Sequence, residues 1–268
     1  MKVLSFSFET RLRFSEPVFD HDFVLRCLPT SSPSQTVLEA QTIFDPRATV
    51  SRQCDGFGNL LQVGRLEAPH KRFEFISAGT VVTEADDAPV EEAHPIFLRP
   101  SQMTEPGPHI SDFVADVLRV CGNVGPLDKA LRLSLAIHET CSYEKGTTDV
   151  RTTAEEALAQ RRGVCQDYAH VLVSCCRLAG VPARYVNGFM VGEGATHAWV
   201  EVHDGSRWLG VDPTNDCQVT DDYIVLSRGR DFADCPIEVG VFIGGARQKQ
   251  TVRVTVTDDS TVEWAGQQ

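Results

Sequence analysis

The sequence predicts an α+β protein in two parts: an all-β, sandwich-like domain over residues 1–84, and a mixed domain over 109–268. Short strands broken by turn residues fill the first part, with no helical periodicity. Prolines at 89, 95, 100, 106 and 108, with Asp86, Asp87, Glu91 and Glu92 between them, mark 85–108 as a wet linker. Beyond it the apolar period runs helical first and then changes to two, the mark of helices followed by antiparallel strands.

In the opening MKVLSFSFETRLRF, Leu4, Phe6, Phe8, Leu12 and Phe14 share one parity, while Glu9, Arg11 and Arg13 take the other. That alternation reads as a half-buried strand rather than a signal peptide. Glu16-Pro17 is then expected to turn the chain, and Asp55-Gly56-Phe57-Gly58-Asn59 is a second turn. KRFEFISAGTVV reads as a strand with Phe73 and Phe75 on one face.

Helices are expected over ISDFVADVLRVC and LDKALRLSLAIHETC, whose apolar residues recur three and four apart. Thr153 and Glu156 form a capping-box pattern ahead of a third helix, with Gly163 as its stop. A fourth runs from Cys165 to Leu178, closed by Gly180 and Pro182; apolar on nearly all sides, it must be buried. ARYVNGFMV, THAWVEVH and SRWLGVD read as strands, GEG at 192–194 as a hairpin turn, and TVRVTVT as a last strand.

The net charge of −12 and pI near 5.1 argue against non-specific nucleic-acid binding and against docking on anionic membranes. No run is long enough for a membrane span. Nine scattered cysteines without a CxxC pair suit free thiols, and the chain reads as cytoplasmic.

One of those thiols stands apart. Cys165 sits where RRGV turns into the buried helix, and a helix N-terminus stabilises the thiolate that acts as nucleophile. THAWVEVH and SRWLGVD flank Asp204-Gly205, the common dipeptide of a two-residue hairpin. With that turn His203 faces Ser206, and an unbroken ladder sets His197 directly opposite Asp212, their Cβ atoms roughly 4.5–5.5 Å apart. A carboxylate beside an imidazole fixes its tautomer and stabilises the imidazolium, leaving the other nitrogen for a thiol.

Metal binding is the chemical competitor. His197 and His203 share a face but lie about 20 Å apart along a strand, and Cys175 and Cys176 diverge on a helix. A zinc site built from Cys165, His197 and Asp212 has the right ligand types but no further support, so neither a metal nor another cofactor is expected.

TAEEALAQRRGVCQDYAH, GVPARYVNGFM, THAWVEV and DPTN resemble the core of bacterial transglutaminase-like proteins, also called transglutaminase-like cysteine proteases. The resemblance covers most of 110–220, and ETRLRFSEPV and DGFGN resemble the β-rich N-terminal domain attached to that core. It implies a papain-like core with Cys165, His197 and Asp212 as triad. It further implies acyl transfer through a thioester on a peptide or amide substrate, most simply hydrolysis. Transglutaminase or deamidase action, or a silent peptide- or glycan-binding module on the same fold, are the alternatives. By analogy Tyr143 is the second oxyanion donor beside the Cys165 N–H. Gln166 lies in the first turn of the nucleophile helix, and Trp199 either shields the imidazole or packs between the domains. Asp167, in that same turn, would disfavour a thiolate and so is expected to point elsewhere. The N-terminal domain either walls the substrate cleft or mediates self-association into a homo-oligomer.

Overall fold

The computed structural model describes residues 1–260 apart from 86, 121 and 123. Asp86 of the expected linker and Cys121 at an expected helix end therefore lie outside the described residues.

Five strands come first: β1 (Lys2–Leu25), β2 (Gln35–Asp45), β3 (Val50–Cys54), β4 (Leu60–Leu66) and β5 (His70–Thr83). The alternation of β1 holds, with Leu4, Phe6, Phe8, Leu12 and Phe14 all buried. Pro17 does not end the strand as expected; it bends it. The ladder to β5 is regular up to Arg13, resumes at Val18, and Asp20 takes a φ of 48°. Proline lacks the ladder donor, but its fixed φ is compatible with extended chain at an irregularity. The second half of β1 packs on β5 across a phenylalanine core, with Phe23 and Phe73 rings 4.7 Å apart.

The helices are α1 (Pro108–Arg119), α2 (Pro126–Thr140), α3 (Ala154–Gln160) and α4 (Cys165–Leu178). The capping box of α3 is present in both directions: Glu156 N–H donates to Thr153 Oγ1, and Thr153 N–H donates to Glu156 Oε2. Its stop is not Gly163 but Arg161, which takes the left-handed conformation at φ 54°. Gly163 lies in β7 (Arg162–Gly163), paired in parallel with β6 (Ser142–Tyr143). α4 is buried from Asp167 through Arg177, as its apolar circumference requires.

The core sheet holds β8 (Ala183–Met190), β10 (His197–His203), β11 (Trp208–Asp212), β12 (Cys217–Gln218) and β13 (Tyr223–Gly229), in the order β12-β11-β10-β8-β13, antiparallel throughout. Helices cover one face, where Ala169 and Val173 of α4 and Leu133 and Ile137 of α2 join Val200, Val202 and Val211 in one core. The N-terminal sheet covers the other: Phe6 and Phe8 lie 5.5 and 5.4 Å from Phe189 of β8. Each such ring taken from water contributes about 1.5–3 kcal/mol, so this contact fixes the two parts against each other.

Two expectations about organisation are corrected. β14 (Glu238–Ile243) and β15 (Gln248–Asp258) leave the helix-bearing part and pair with β1, completing the N-terminal sheet. Residues 109–268 therefore do not form one unit, because the unpaired edges of a β1 this long need partners from elsewhere in the chain. GEG at 192–194 is also more than a turn: it forms β9 (Gly192–Gly194), which pairs with β15 and ties the loop before His197 to the N-terminal sheet. The proline-rich stretch is partly docked. Phe97 packs edge-on against Trp208 at 5.3 Å, and the buried Arg177 donates to the Phe97 carbonyl and to Thr104 Oγ1. No described helix is long and apolar enough to cross a membrane.

Candidate active site

Cys165 is the first residue of α4 and is half-buried. Its own N–H and that of Gln166 belong to the first turn, which has no intrahelical acceptors and carries partial positive charge. Asp167 would spoil that field if it faced the thiol. It turns back instead: Oδ2 accepts from Val164 N–H and from Thr148 Oγ1, each at 2.7 Å. Burial nevertheless raises its carboxyl pKa, against the pull of those two bonds. The fold makes room at Gly163, where a Cβ would come within 2.5 Å of Asp167 Oδ2.

His197 opens β10, opposite Gly188 of β8. Its Nε2 lies 2.7 Å from Asp212 Oδ2, which leaves Nδ1 for the thiol. The sequence reading of this pair is right in face but wrong in register. Asp204 to Arg207 form a four-residue turn, closed by Asp204 N–H donating to the Arg207 carbonyl, so His203 pairs with Trp208 rather than Ser206. The ladder is displaced by two residues. His197 and Asp212 are thus diagonal neighbours on one sheet face rather than direct opposites, still within side-chain reach.

Asp212 is fully buried and anchored on both oxygens. Oδ1 accepts from the N–H groups of Thr214 and Asn215, the turn geometry written into DPTN. Oδ2 accepts from Asn215 Nδ2 at 2.7 Å and from Tyr223 Oη at 2.9 Å besides facing His197. Burial opposes its charge, but the His197 hydrogen bond leads the groups that together lower its pKa. Burial likewise opposes the charged imidazole, and hydrogen bonds with Asp212 and Cys165 outweigh it. The His197 pKa is raised to about 9, so the ring is an imidazolium at neutral pH.

Asn215 and Tyr223 were missed by sequence reasoning. DPTN carries a signal for Asn215, since an Asx turn brings the residue three places on back to the carboxylate. Tyr223 carries none, because it arrives from β13 on the far edge of the sheet.

The other named residues fall in different places. Tyr143 is half-exposed in β6, paired with Gly163 two residues before Cys165, and its hydroxyl pKa is raised by burial and then by the nearby thiol. Gln166 is half-buried beside the thiol. Trp199 is fully buried, its ring stacked at 6.2 Å on His197 and edge-on to Tyr223 at 5.3 Å. It fills the room left by Gly188, where a Cβ would lie 2.6 Å from the indole and 2.1 Å from the Ile224 carbonyl. It therefore both packs the sheet and backs the imidazole. No group of three or more His, Cys, Asp or Glu among the described residues could hold a metal ion.

Comparison with known proteins places the chain in a family. Residues 117–213 match the transglutaminase-like superfamily core, and residues 4–82 match the bacterial transglutaminase-like N-terminal region. An uncharacterised protein of Mycobacterium leprae is 30% identical over 252 residues, 87% of this chain and 90% of that protein. A proposed cysteine protease from Cytophaga hutchinsonii superposes with a TM-score of 0.79 at 21% identity, over 96% of this chain and 91% of that one, which shows the same fold. A 61-residue stretch, 22% of this chain, is 41% identical to the peptide-N(4)-(N-acetyl-β-glucosaminyl)asparagine amidase of Gallus gallus, of which it spans 9%. The chain belongs to the transglutaminase-like superfamily and carries the bacterial transglutaminase-like N-terminal region.

Proposed function

We propose that this protein is a thiol enzyme that cleaves peptide or other carboxamide bonds by hydrolysis, through a thioester on Cys165. The observation that carries the reading is the His197 imidazole held between Asp212 and Cys165, with its pKa raised to about 9. An imidazole held in that way can take the proton of a neighbouring thiol and pass it on to a leaving group.

The Cys165 sulfur attacks the carbonyl carbon, and the carbonyl oxygen becomes an oxyanion. The Cys165 N–H, at the head of α4, donates to it. Tyr143 is the second donor in this reading, supported by its place in the strand paired with Gly163. His197 Nδ1 passes its proton to the leaving amine, and the C–N bond breaks to leave the thioester. A water then gives its proton to His197 and attacks the thioester, releasing the acid and the thiol. Asp212 stays ionised, holding the tautomer in which Nε2 carries a proton. The amide-cleaving relative in Gallus gallus supports the choice of bond.

An amine in place of water would make the same thioester serve transamidation, and a glutamine donor would make hydrolysis a deamidation. A panel of peptide amides, assayed with and without an added primary amine, tests the reading. Release of free acid that needs Cys165 is expected, with the amine product minor. Amine incorporation outrunning acid release would make the protein a transglutaminase, and no Cys165-dependent turnover of any amide would leave the fold as a binding module.

A further inference from the structure

The N-terminal sheet does not close fully on the catalytic core. A cavity of about 540 Å³ lies between them. Thr10, Glu238 and Gln250 line it from the sheet, and Asn187, Phe232 and Thr196 from the core. Thr196 is the chain neighbour of His197, so the cavity reaches the residue next to the imidazole.

Its polar groups are poorly matched for mere packing. Glu238 pairs across the ladder with Leu25, whose side chain is wholly buried, so the carboxyl stands on the inner face of the sheet. It is the one charged residue among those lining the cavity. Its described hydrogen bond comes from Gln250 Nε2, at 2.9 Å to Oε2. Burial pushes its pKa up to about 7, only partly offset by that bond. Thr10 is 1% exposed, and its Oγ1 has no hydrogen-bond partner among the described residues. Buried polar groups are nearly always paired, and cavities with few convergent polar groups on apolar walls are how small-molecule and side-chain pockets are built.

We propose that this cavity is the subsite for a cationic side chain of the substrate peptide, lysine or arginine, with Glu238 as its counter-ion. The proposal rests on the reading of Cys165 as nucleophile and names the substrate class of that site. An apolar stem lies along the walls while the charged head reaches the carboxylate, the usual division of such side chains. The head supplies the cation that Glu238 lacks among the described residues, in the cavity that the Thr10 oxygen also lines. A cation there also suits the overall charge of −12.

Binding to the Cys165→Ala protein tests this without turnover. The probes are short acetylated, fluorophore-labelled peptide amides in which each position in turn is lysine or its neutral isostere norleucine, read by fluorescence anisotropy. At one position lysine is expected to bind about tenfold or more tightly than norleucine. Glu238→Gln, of the same shape, brings that ratio close to one, and Thr10→Val lowers it less. No position favouring lysine, a preference that survives Glu238→Gln, or no saturable binding of either peptide overturns the subsite. Iodoacetamide labelling of Cys165 in the native protein needs no peptide and reports on the chemistry separately. A reactive Cys165 with no lysine preference overturns the subsite alone, whereas an inert Cys165 beside a Glu238-dependent preference overturns the proposed reaction alone.

Discussion

His197 and Asp212 sit on neighbouring strands two residues out of register, and their side chains meet at 2.7 Å between Nε2 and Oδ2. The carboxylate is the better fixed partner, since four donors besides His197 hold it. It acts as the anchor from which the imidazole is aimed at Cys165. Asparagine at this position keeps the shape and removes the charge. We expect Asp212→Asn to lower kcat/KM for a peptide amide by about 10²–10⁴ and to bring the His197 pKa down from about 9 toward its ordinary 6.5, read by NMR titration of the ring.

The raised pKa fixes a pH window. The folded state holds the His197 proton more tightly than the unfolded chain, so its stabilisation is fully present below about 6.5 and is lost as pH rises through about 9. Activity should follow the same ionisation, with kcat/KM falling on a basic limb near 9. A profile still flat well above that limb would show that the proton on His197 is not needed.

Tyr223 donates to Asp212 Oδ2 from a buried position, and its ring also makes a T-shaped contact with Trp199. Tyr223→Phe keeps the ring packing and removes one donor from a buried carboxylate. We expect a loss of about 1–3 kcal/mol in urea unfolding and a lower kcat with KM little changed, the split expected of a residue that positions Asp212.

Away from the site, Glu201 is buried between Arg184 and Arg228, whose charges lower its pKa to about 2 against the cost of burial. Glu201→Ala leaves Arg228 without its carboxylate and Arg184 with Glu91 at 3.5 Å, and should destabilise the fold by about 3–5 kcal/mol. In the native protein this contribution is complete above the ordinary carboxylate pKa and is lost as pH falls through about 2. An unchanged thermal midpoint in Glu201→Ala would contradict this.

The sequence was most legible where structure is local. The parity of β1, the N-terminal capping box of α3 and the span of α4 follow from side-chain periodicity and hydrogen bonding within a few residues. The face shared by His197 and Asp212 was legible too, because a shift of two residues preserves parity. The register itself was not, since Gly205 at φ 111° serves a four-residue turn as readily as a two-residue one. Pairing of β15 with β1 and arrival of Tyr223 at Asp212 were hidden for a different reason. They are long-range closures decided by which edge and which cavity remain unfilled, and no local pattern records that.

The most direct test of the account compares two thiols in one molecule. Cys54 is exposed on β3, while Cys165 is only half-buried and therefore less accessible. Brief iodoacetamide labelling at neutral pH, followed by peptide mapping, gives both rates at once. The account predicts that Cys165 is alkylated on the order of ten times faster than Cys54, or more, and that His197→Ala abolishes the difference. Equal or faster labelling of Cys54 would contradict it.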